Sequence, residues 1–514
     1  MGSFRIGPIV LMVTMMALGL VVVMTILTGT GNVIGATYRF VWIPAFLLGC
    51  VAPRASVYVL AVLAAYLDIP KKMLVIAGVL HMDFRDVYFI LAVPPVMLLG
   101  MVLHYLASFA LRVRLLTRRE TLLFCVATFL VAATAVIAVA KTGVGMQMLK
   151  PLANTSAYYG LIFVLPLALP GVVDVQKYLR FVVLIMVPAA LHALWHFFFG
   201  LFEFEHKYME TGFSINLKYL LWGEGIFGPF SAQGPLATCM AICAAICLSP
   251  LLFRGRIAKE YRILPIAVCL LLFLLYATAA VLSLKRGPLL VIPGAVFGLI
   301  VLRSGILTIA TYGVALTGLV LLVVLGEDLA YKLEEWQTWI YNITGTQGAN
   351  ADLFRVRTFH TRFVDFSLLA DGSNWAPFGA EEFQGDDAYH VHALVVRFVL
   401  KYGYVPIGIA LALFIPCLVY AHRRLIRMSR GKSVEVLQLR LMAALAFSLL
   451  GASALGVLSM EAYPNPYFFG VFLGVVAAGL TRSKQIEEEK ALTAGANYEQ
   501  PPVLAPGPVR PANQ

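Results

Sequence analysis

The chain has 514 residues, of which 61% are hydrophobic, and it carries a formal net charge of +12. A water-soluble domain with that much apolar surface would aggregate, which excludes soluble enzymes and soluble binding modules, whereas apolar runs of about 20 residues fit helices that cross a bilayer. The positive charge does not indicate nucleic-acid binding, because most Lys and Arg residues lie in short segments between apolar runs, as in the cytoplasmic loops of membrane proteins.

Taken in chain order, the apolar runs predict an all-α, polytopic integral membrane helical bundle of about 12–14 transmembrane helices with one large extracytoplasmic loop. The first run is interpreted as a retained span, not as a removed signal peptide. Pro53 and Arg54 divide the stretch 37–69, which also fits a re-entrant pair. The predicted spans lie near residues 6–28, 37–52, 55–69, 87–110, 120–140, 156–172, 181–200, 227–252, 263–283, 288–302, 305–325, 393–420, 437–459 and 467–481.

Positive charge predicts the orientation of the spans. Clusters of Arg and Lys at 112–119, 254–262 and 422–432 are separated by even numbers of spans, so all three face the cytoplasm. The predicted outer loops are residues 141–155, 201–226, 284–287, 326–392 and 460–466.

Composition divides the chain into five regions. The last is rich in Pro, Ala and Gly and is predicted to be disordered. The regions are 1–200, N-terminal helices; 201–325, helices with a glycine-rich span start and a Lys-Arg-Gly corner; 326–392, a large periplasmic loop; 393–481, C-terminal helices; and 482–514, a cytoplasmic tail.

A run of Gly, Pro and small polar residues from Glu224 to Pro235 opens one of the spans. Irregular backbone at membrane depth is tolerated where it lines a cavity or is buried in protein. A helix that begins there would also offer unpaired N–H groups to an anion. The alternative is a simple kinked helix start.

Lys285 and Arg286 occupy a short corner between two apolar runs. Cations at helix ends often only reach towards lipid headgroups. This pair, however, falls on the side of the membrane that cations usually avoid, next to Gly287 and Pro288, and the pattern therefore also fits an anion site.

The polar segment from Glu327 to His392 carries the remaining candidates. Arg355, Arg357 and Arg362 fall in a stretch whose pattern fits an amphipathic helix lying on the membrane, where arginines can equally contact lipid headgroups. A histidine at the membrane surface suits a general base, which fits His390 or His392. An interfacial, hydrogen-bonded histidine is the alternative, and a His-X-His metal site lacks an evident third histidine.

Together these blocks resemble the O-antigen ligase and polymerase superfamily of bacterial membrane glycosyltransferases, over roughly residues 200 to 480. The family's Ser-Arg-Gly corner reads Lys285-Arg286-Gly287 here, and the Asn after its histidine is Ala393. Its Asn-Pro-Asn element reads Ser-Ala-Gln-Gly-Pro, which includes Gln233, and Lys218 is the nearest cation ahead of it. The resemblance rests on Gly225 to Ala237, the Lys-Arg-Gly corner, Arg355 to Phe366, Pro377-Phe378-Gly379, and His392 with Gly403.

The resemblance implies an inverting glycosyl transfer from an undecaprenyl-diphosphate carrier on the periplasmic face of the bacterial inner membrane. The acceptor would be another glycan or a lipid A core, so polymerase and ligase both fit, and neither a metal nor a cofactor is implied. Fixed cations would stabilise the leaving diphosphate, through Arg286 and one or more of Arg355, Arg357 and Arg362, with Lys285, Lys218 and Gln233 as further substrate contacts. The attacking sugar hydroxyl would need a proton acceptor, for which His392 is the first candidate and His390 the second. The partners implied are the lipid-linked donor, the acceptor and membrane lipids.

Other functions fit parts of the same pattern. A transporter or flippase for polysaccharide or lipid-linked sugars would place ionisable residues along a mid-membrane pathway. Here the ionisable candidates lie mainly in the predicted outer loops. A metal-dependent glycosyltransferase would use carboxylates of the first outer loop, where Asp68, Asp83 and Asp86 are the candidates. A non-catalytic assembly subunit is the third alternative.

Overall fold

The structure is a computed structural model. It describes residues 40–78, 87–111, 113, 117–142, 155–212, 226–252, 263–283, 285–302, 305–344, 364–379, 393–405, 407–408, 412, 423, 434–454 and 463–480.

Within these ranges all regular secondary structure is helical, which confirms the predicted all-α class. The helices, numbered in chain order, are α1 Trp42–Val51, α2 Pro53–Tyr66, α3 Asp68–Ile76, α4 Val87–Leu91, α5 Val93–Ala110, α6 Arg118–Thr142, α7 Leu161–Ala168, α8 Val172–Ile185, α9 Val187–Phe199, α10 Glu203–Glu210, α11 Gln233–Leu252, α12 Ile266–Leu282, α13 Arg286–Leu289, α14 Val291–Val301, α15 Gly305–Thr344, α16 Leu394–Tyr402, α17 Val434–Ala454 and α18 Asn465–Leu480. Short 3₁₀ turns lie at Ser156–Gly160 and Gly372–Asn374.

Four helical stretches are long and apolar enough to cross a membrane: Phe89–Ala110, Val172–Phe199, Gln233–Leu252 and Glu435–Ser453. Eight further apolar helices of 10–17 residues each overlap one of the predicted spans. The largest apolar cluster of the described residues runs through many of the helices. Helix α11 contributes most of its length to it, because its residues from Leu236 to Cys247 are all buried.

Proline fixes several helix boundaries. Pro53, Pro94 and Pro188 each lie in the first turn of a helix, where the missing N–H has no intrahelical partner to lose. Between α1 and α2, Ala52 leaves the helical region of backbone space with φ −134° and ψ 64°. The stretch 37–69 therefore holds two separate helices, as the Pro53 break predicted.

Two predicted boundaries differ from the structure. Helix α15 continues to Thr344, well beyond the predicted end of its span at residue 325, so the polar segment begins inside a helix. Helix α16 ends at Tyr402, and Gly403 follows with a left-handed φ of +79°, so the predicted span 393–420 is interrupted there. Hydropathy did not mark either position, because polar residues continue α15 and apolar residues follow Gly403.

Helices α1 and α5 cross at two glycines that face each other. A Cβ atom on Gly49 or on Gly100 would lie 3.1 Å from the Cα atom of the other, and closer still to a backbone carbonyl oxygen of the opposite helix. Such glycine contacts let two membrane helices approach closely enough to gain dispersion energy along their length.

We expect Gly100→Leu to lower the free energy of unfolding by about 1–3 kcal/mol or more, because the new side chain forces α1 and α5 apart. Thermal unfolding of the purified protein in detergent measures the loss. Gly313→Leu is the matched control, because a Cβ atom at Gly313 meets nothing within 4 Å. An unchanged melting temperature for Gly100→Leu would show that the crossing is not tightly packed.

Hydrogen bonds between helices define which ends lie together. Arg180 Nε, in α8, donates to the carbonyl oxygen of Ile263 just before α12 at 2.6 Å, and Tyr276, farther along α12, donates to that of Val183. The run α8–α9 and helix α12 therefore point in the same direction. Helix α11 packs on α12 in the opposite direction, since the short segment 253–265 joins them.

This arrangement gathers three parts of the chain at one end of the bundle. They are the end of α9, the start of α11 and the Lys285-Arg286 corner that follows α12. The corner leads into α13, which packs against α11. We call this region the polar end, because the charged side chains described next belong to it.

Candidate functional site

The segment 226–232 at the polar end is irregular, and most of it is buried. All five residues from Ile226 to Phe230 are inaccessible, so the glycine- and proline-rich backbone is buried in protein, one of the two situations predicted for it. Gly228 has a φ of +54°, and a Cβ atom there would lie 3.2 Å from both the Ala189 carbonyl oxygen and the Ala193 Cβ atom. Both its backbone conformation and its contact with α9 therefore favour glycine.

Side chains form hydrogen bonds with both backbone groups of Gly228, its carbonyl oxygen and its N–H. The Nζ atom of Lys72, in α3, donates to the Gly228 carbonyl oxygen at 3.1 Å. The Gly228 N–H donates to Nδ1 of His196, in α9, at 3.3 Å. Lys72 also lies over the ring of Phe227, with Nζ 4.5 Å from the ring centroid. These contacts satisfy a backbone segment that has no helix or sheet partners of its own.

Glu205, in α10, links the two sides of this arrangement. One carboxylate oxygen, Oε1, lies 3.1 Å from Lys72 Nζ, and the other, Oε2, lies 2.5 Å from His196 Nε2 and 3.4 Å from His192 Nε2. The Phe202 N–H donates to the same Oε2 atom at 3.3 Å. The side chains of Lys72 and Glu205 are both fully buried. We call Lys72, His192, His196 and Glu205 the buried cluster.

Lys72 and Glu205 each favour the ionised form of the other. Burial lowers the pKa of Lys72 to about 8, although the Glu205 carboxylate acts to raise it. Burial acts to raise the pKa of Glu205, but hydrogen bonds from His192 and His196 and the charge of Lys72 outweigh it and hold that pKa well below its ordinary value. At neutral pH the cluster therefore contains a buried ion pair, which is stable only because both partners are also hydrogen-bonded.

A second ion pair fixes the start of α11. Lys71 Nζ donates to Asp68 Oδ1 at 2.6 Å and also to the Ser231 hydroxyl, and the Ser231 N–H donates to Asp68 Oδ2 at 2.7 Å. The protein's own Asp68 carboxylate thus occupies the position, just ahead of a helix, that the sequence offered to an anionic ligand.

The same contacts bear on the carboxylates proposed for a metal-dependent enzyme. Both oxygens of Asp68 have partners within the protein, so binding a metal would displace Lys71 or Ser231. Asp83 and Asp86 lie outside the described residues.

Three of the residues predicted from the sequence lie in the described part of the chain. Lys285 is exposed on the corner, Arg286 begins α13 and Gln233 begins α11, so the topology brings all three to the polar end. Six predicted residues lie outside the described residues: Lys218, Arg355, Arg357, Arg362, His390 and His392.

The large predicted outer loop is described in part, and its separate motifs meet. Buried Asp365 accepts a hydrogen bond from the N–H of Ala393, the residue after His392, at 3.3 Å. Phe366 packs with Ala393 and with Val396 and Leu400 of α16. The start of α16 therefore lies beside the Asp365-Phe366 block.

The Pro377-Phe378-Gly379 motif packs directly on Gly403. The N–H groups of Tyr404 and Val405 donate to the carbonyl oxygens of Ala376 and Pro377, at 3.3 and 3.1 Å. A Cβ atom at Gly403 would collide with the backbone of Pro377 and Gly379, and its left-handed φ also favours glycine. Two motifs that the sequence shows 24 residues apart thus form one backbone junction at the end of α16.

The sequence reasoning missed the buried cluster. One signal was available, because His192 and His196 are four residues apart and so lie on one face of a helix. Another was the Lys71-Lys72 pair between two predicted spans, on the side where cations are uncommon. Nothing in the sequence around Glu205 indicated that this residue, from a separate helix, belongs to the cluster.

The polar end therefore combines fixed cations, carboxylates and imidazoles at one end of an apolar helical bundle. Such a set can orient an anionic group and accept a proton. No protein-family model, curated protein or solved structure matches this chain.

Proposed function

We propose that the chain is a polytopic glycosyltransferase of the bacterial inner membrane, acting at the periplasmic face. It moves a glycan from an undecaprenyl-diphosphate carrier to a glycan or to a lipid A core, as a polysaccharide or O-antigen polymerase or ligase. This goes beyond the four apolar helices of membrane-spanning length, which support membrane insertion alone.

The observation that carries the proposal is the meeting of the outer-loop motifs around α16. Asp365-Phe366 contacts the segment that begins at Ala393, and Pro377 to Gly379 contacts Gly403 at the end of that segment, although these motifs are distant in sequence. The residue before Ala393 is His392, the candidate base. A packed junction of this kind would hold a catalytic loop rigidly at the membrane surface, as precise positioning requires.

The proposed reaction is a single displacement. His392 accepts the proton of an acceptor hydroxyl, the hydroxyl oxygen bonds to the anomeric carbon, and the bond from that carbon to the lipid diphosphate breaks with inversion. The electron pair leaves with the diphosphate, whose charge Arg286 and one or more of Arg355, Arg357 and Arg362 stabilise. Lys285, Lys218 and Gln233 are the further substrate contacts.

His392→Ala is expected to lower the transfer rate by about 10²- to 10⁴-fold, the usual contribution of a general base. His206→Ala is the matched control, because His206 is exposed on α10 and is expected to leave the rate unchanged. His390→Ala tests the second candidate base. Normal activity of a well-folded His392→Ala protein would remove His392 from this role.

The assay uses the purified full-length protein in detergent with an undecaprenyl-diphosphate-linked oligosaccharide. Longer lipid-linked products indicate a polymerase, and transfer that requires added lipid A core indicates a ligase. A folded protein that produces neither would contradict the proposed function.

One observation favours a second candidate, a transporter or flippase for lipid-linked sugars. The ion pair of Lys72 and Glu205 is wholly buried, and buried ionisable groups within membrane proteins often belong to transport pathways. Liposomes distinguish the two functions, because a flippase moves an unaltered lipid-linked sugar between leaflets, whereas the transferase changes its chain length or its lipid.

A further inference from the structure

Three side chains of the buried cluster are arranged as metal ligands. His192 and His196 lie one turn apart on α9, and Glu205 approaches them from α10. One possible ligand atom from each of the three residues lies within 4.8 Å of the other two. We propose that His192, His196 and Glu205 form a binding site for a divalent transition-metal ion such as Zn²⁺. The proposal does not rest on the proposed function, which needs no metal.

The distances suit a tetrahedral ion after a small adjustment. Metal bonds of about 2.0–2.1 Å in tetrahedral geometry separate neighbouring ligand atoms by about 3.3 Å. The His192 Nε2 to Glu205 Oε2 distance is 3.4 Å, and the His196 Nε2 to Glu205 Oε2 distance of 2.5 Å must lengthen by less than 1 Å. His192, whose side chain is 15% exposed, gives the ion a route into the site.

The ligand types determine which ions fit. Two imidazoles and one carboxylate suit zinc, cobalt and nickel, whereas magnesium and calcium prefer sites made of oxygen ligands. The remaining oxygen of Glu205 is held by Lys72 at 3.1 Å, which orients the carboxylate as outer partners of metal ligands do. The ammonium charge of Lys72 opposes a second cation, and replacing Lys72 with Met should therefore tighten metal binding in protein that remains folded.

Metal binding would also change the contact between His196 and Gly228. In the structure the Gly228 N–H points at His196 Nδ1, so Nδ1 is unprotonated and Nε2 carries the proton that is shared with Glu205. A metal on Nε2 takes the place of that proton, and neutral imidazole then carries its proton on Nδ1. Two N–H groups cannot face each other at 3.3 Å, so loading the metal must release Gly228 and loosen segment 226–232.

The test is a titration of the purified full-length protein in detergent with Co²⁺, whose visible absorption reports tetrahedral coordination, followed by competition with Zn²⁺. The expected result is one Co²⁺ per chain at this site. We expect His192→Gln and Glu205→Gln each to weaken Co²⁺ binding by about 10- to 100-fold or more. The matched controls are His206→Gln and Glu203→Gln, which alter exposed neighbours on α10 and should bind as the unaltered protein does.

A second readout separates this site from other histidines of the chain. Amide hydrogen exchange in residues 226–232 should accelerate when Zn²⁺ is added to the unaltered protein and should not respond in His192→Gln. His192→Gln also keeps the proposal testable if Glu205→Gln fails to fold, because His192 is not fully buried. Absence of stoichiometric binding, or unchanged binding in folded His192→Gln, would overturn the proposal.

Discussion

Replacing Arg286 with Ala is expected to lower the rate of glycosyl transfer by about 10²- to 10³-fold, the usual loss when one preorganised group that stabilises developing charge is removed. Arg286 begins α13 at the corner that packs against α11, so it lies at the polar end with the glycine-rich segment. A leaving diphosphate gains negative charge as its bond to the sugar breaks, and a fixed guanidinium can contact two of its oxygens at once.

Two further variants make this result specific. Arg286→Lys keeps the charge but loses the paired contacts, so an intermediate rate is expected. Arg54→Ala should transfer normally, because Arg54 pairs with Asp174 at the opposite end of the bundle. Initial rates with the lipid-linked oligosaccharide, at matched amounts of folded protein, provide the comparison. Equal rates for Arg286→Ala and the unaltered protein would contradict a role for Arg286 at the diphosphate.

Replacing Lys72 with Met is expected to lower the free energy of unfolding by about 3–5 kcal/mol, because it leaves the Glu205 carboxylate buried without its cation. Lys72 is also the hydrogen-bond donor to the Gly228 carbonyl oxygen, so that group loses a partner as well. Unfolding of the purified protein in detergent, followed by circular dichroism, measures the effect.

The controls for Lys72 come from the same part of the chain. Lys207→Met should leave stability unchanged, because the Lys207–Glu203 pair on α10 is exposed. The double variant Lys72→Met with Glu205→Met should recover part of the loss, since removing both charges is less harmful than removing one. If Lys72→Met unfolds like the unaltered protein, the buried ion pair does not hold the polar end together.

The helices could be predicted from the sequence because their signals are local. Apolar runs marked each of the long helical stretches, and Pro53 marked the break between α1 and α2. The irregular backbone at Gly228 was also predictable, since closely spaced Gly and Pro residues disfavour a regular helix. The apolar part of α15 ends at Leu325, as predicted, but the end of the helix at Thr344 was not predicted, because hydropathy detects where a membrane span ends and not where a helix ends.

The buried cluster could not be predicted from local patterns. Lys72 and Glu205 are 133 residues apart, and neither is apolar, so no hydropathy pattern marked either of them as buried. Their burial follows from the packing of α3 and α10 against segment 226–232, which is a tertiary arrangement. The contact of Gly403 with Pro377 was likewise invisible in the sequence, although both residues had been selected as motif positions.

Accessibility of single cysteines from outside the cell tests the account most directly, because the proposed chemistry requires the polar end to face the periplasm. Three exposed positions serve: His206→Cys beside the buried cluster, Ser373→Cys beside the outer-loop motifs, and Thr117→Cys between α5 and α6. With a membrane-impermeant maleimide on intact cells, the first two should react and the third should react only after permeabilisation. Labelling of Thr117→Cys alone in intact cells would place the polar end in the cytoplasm and contradict the account.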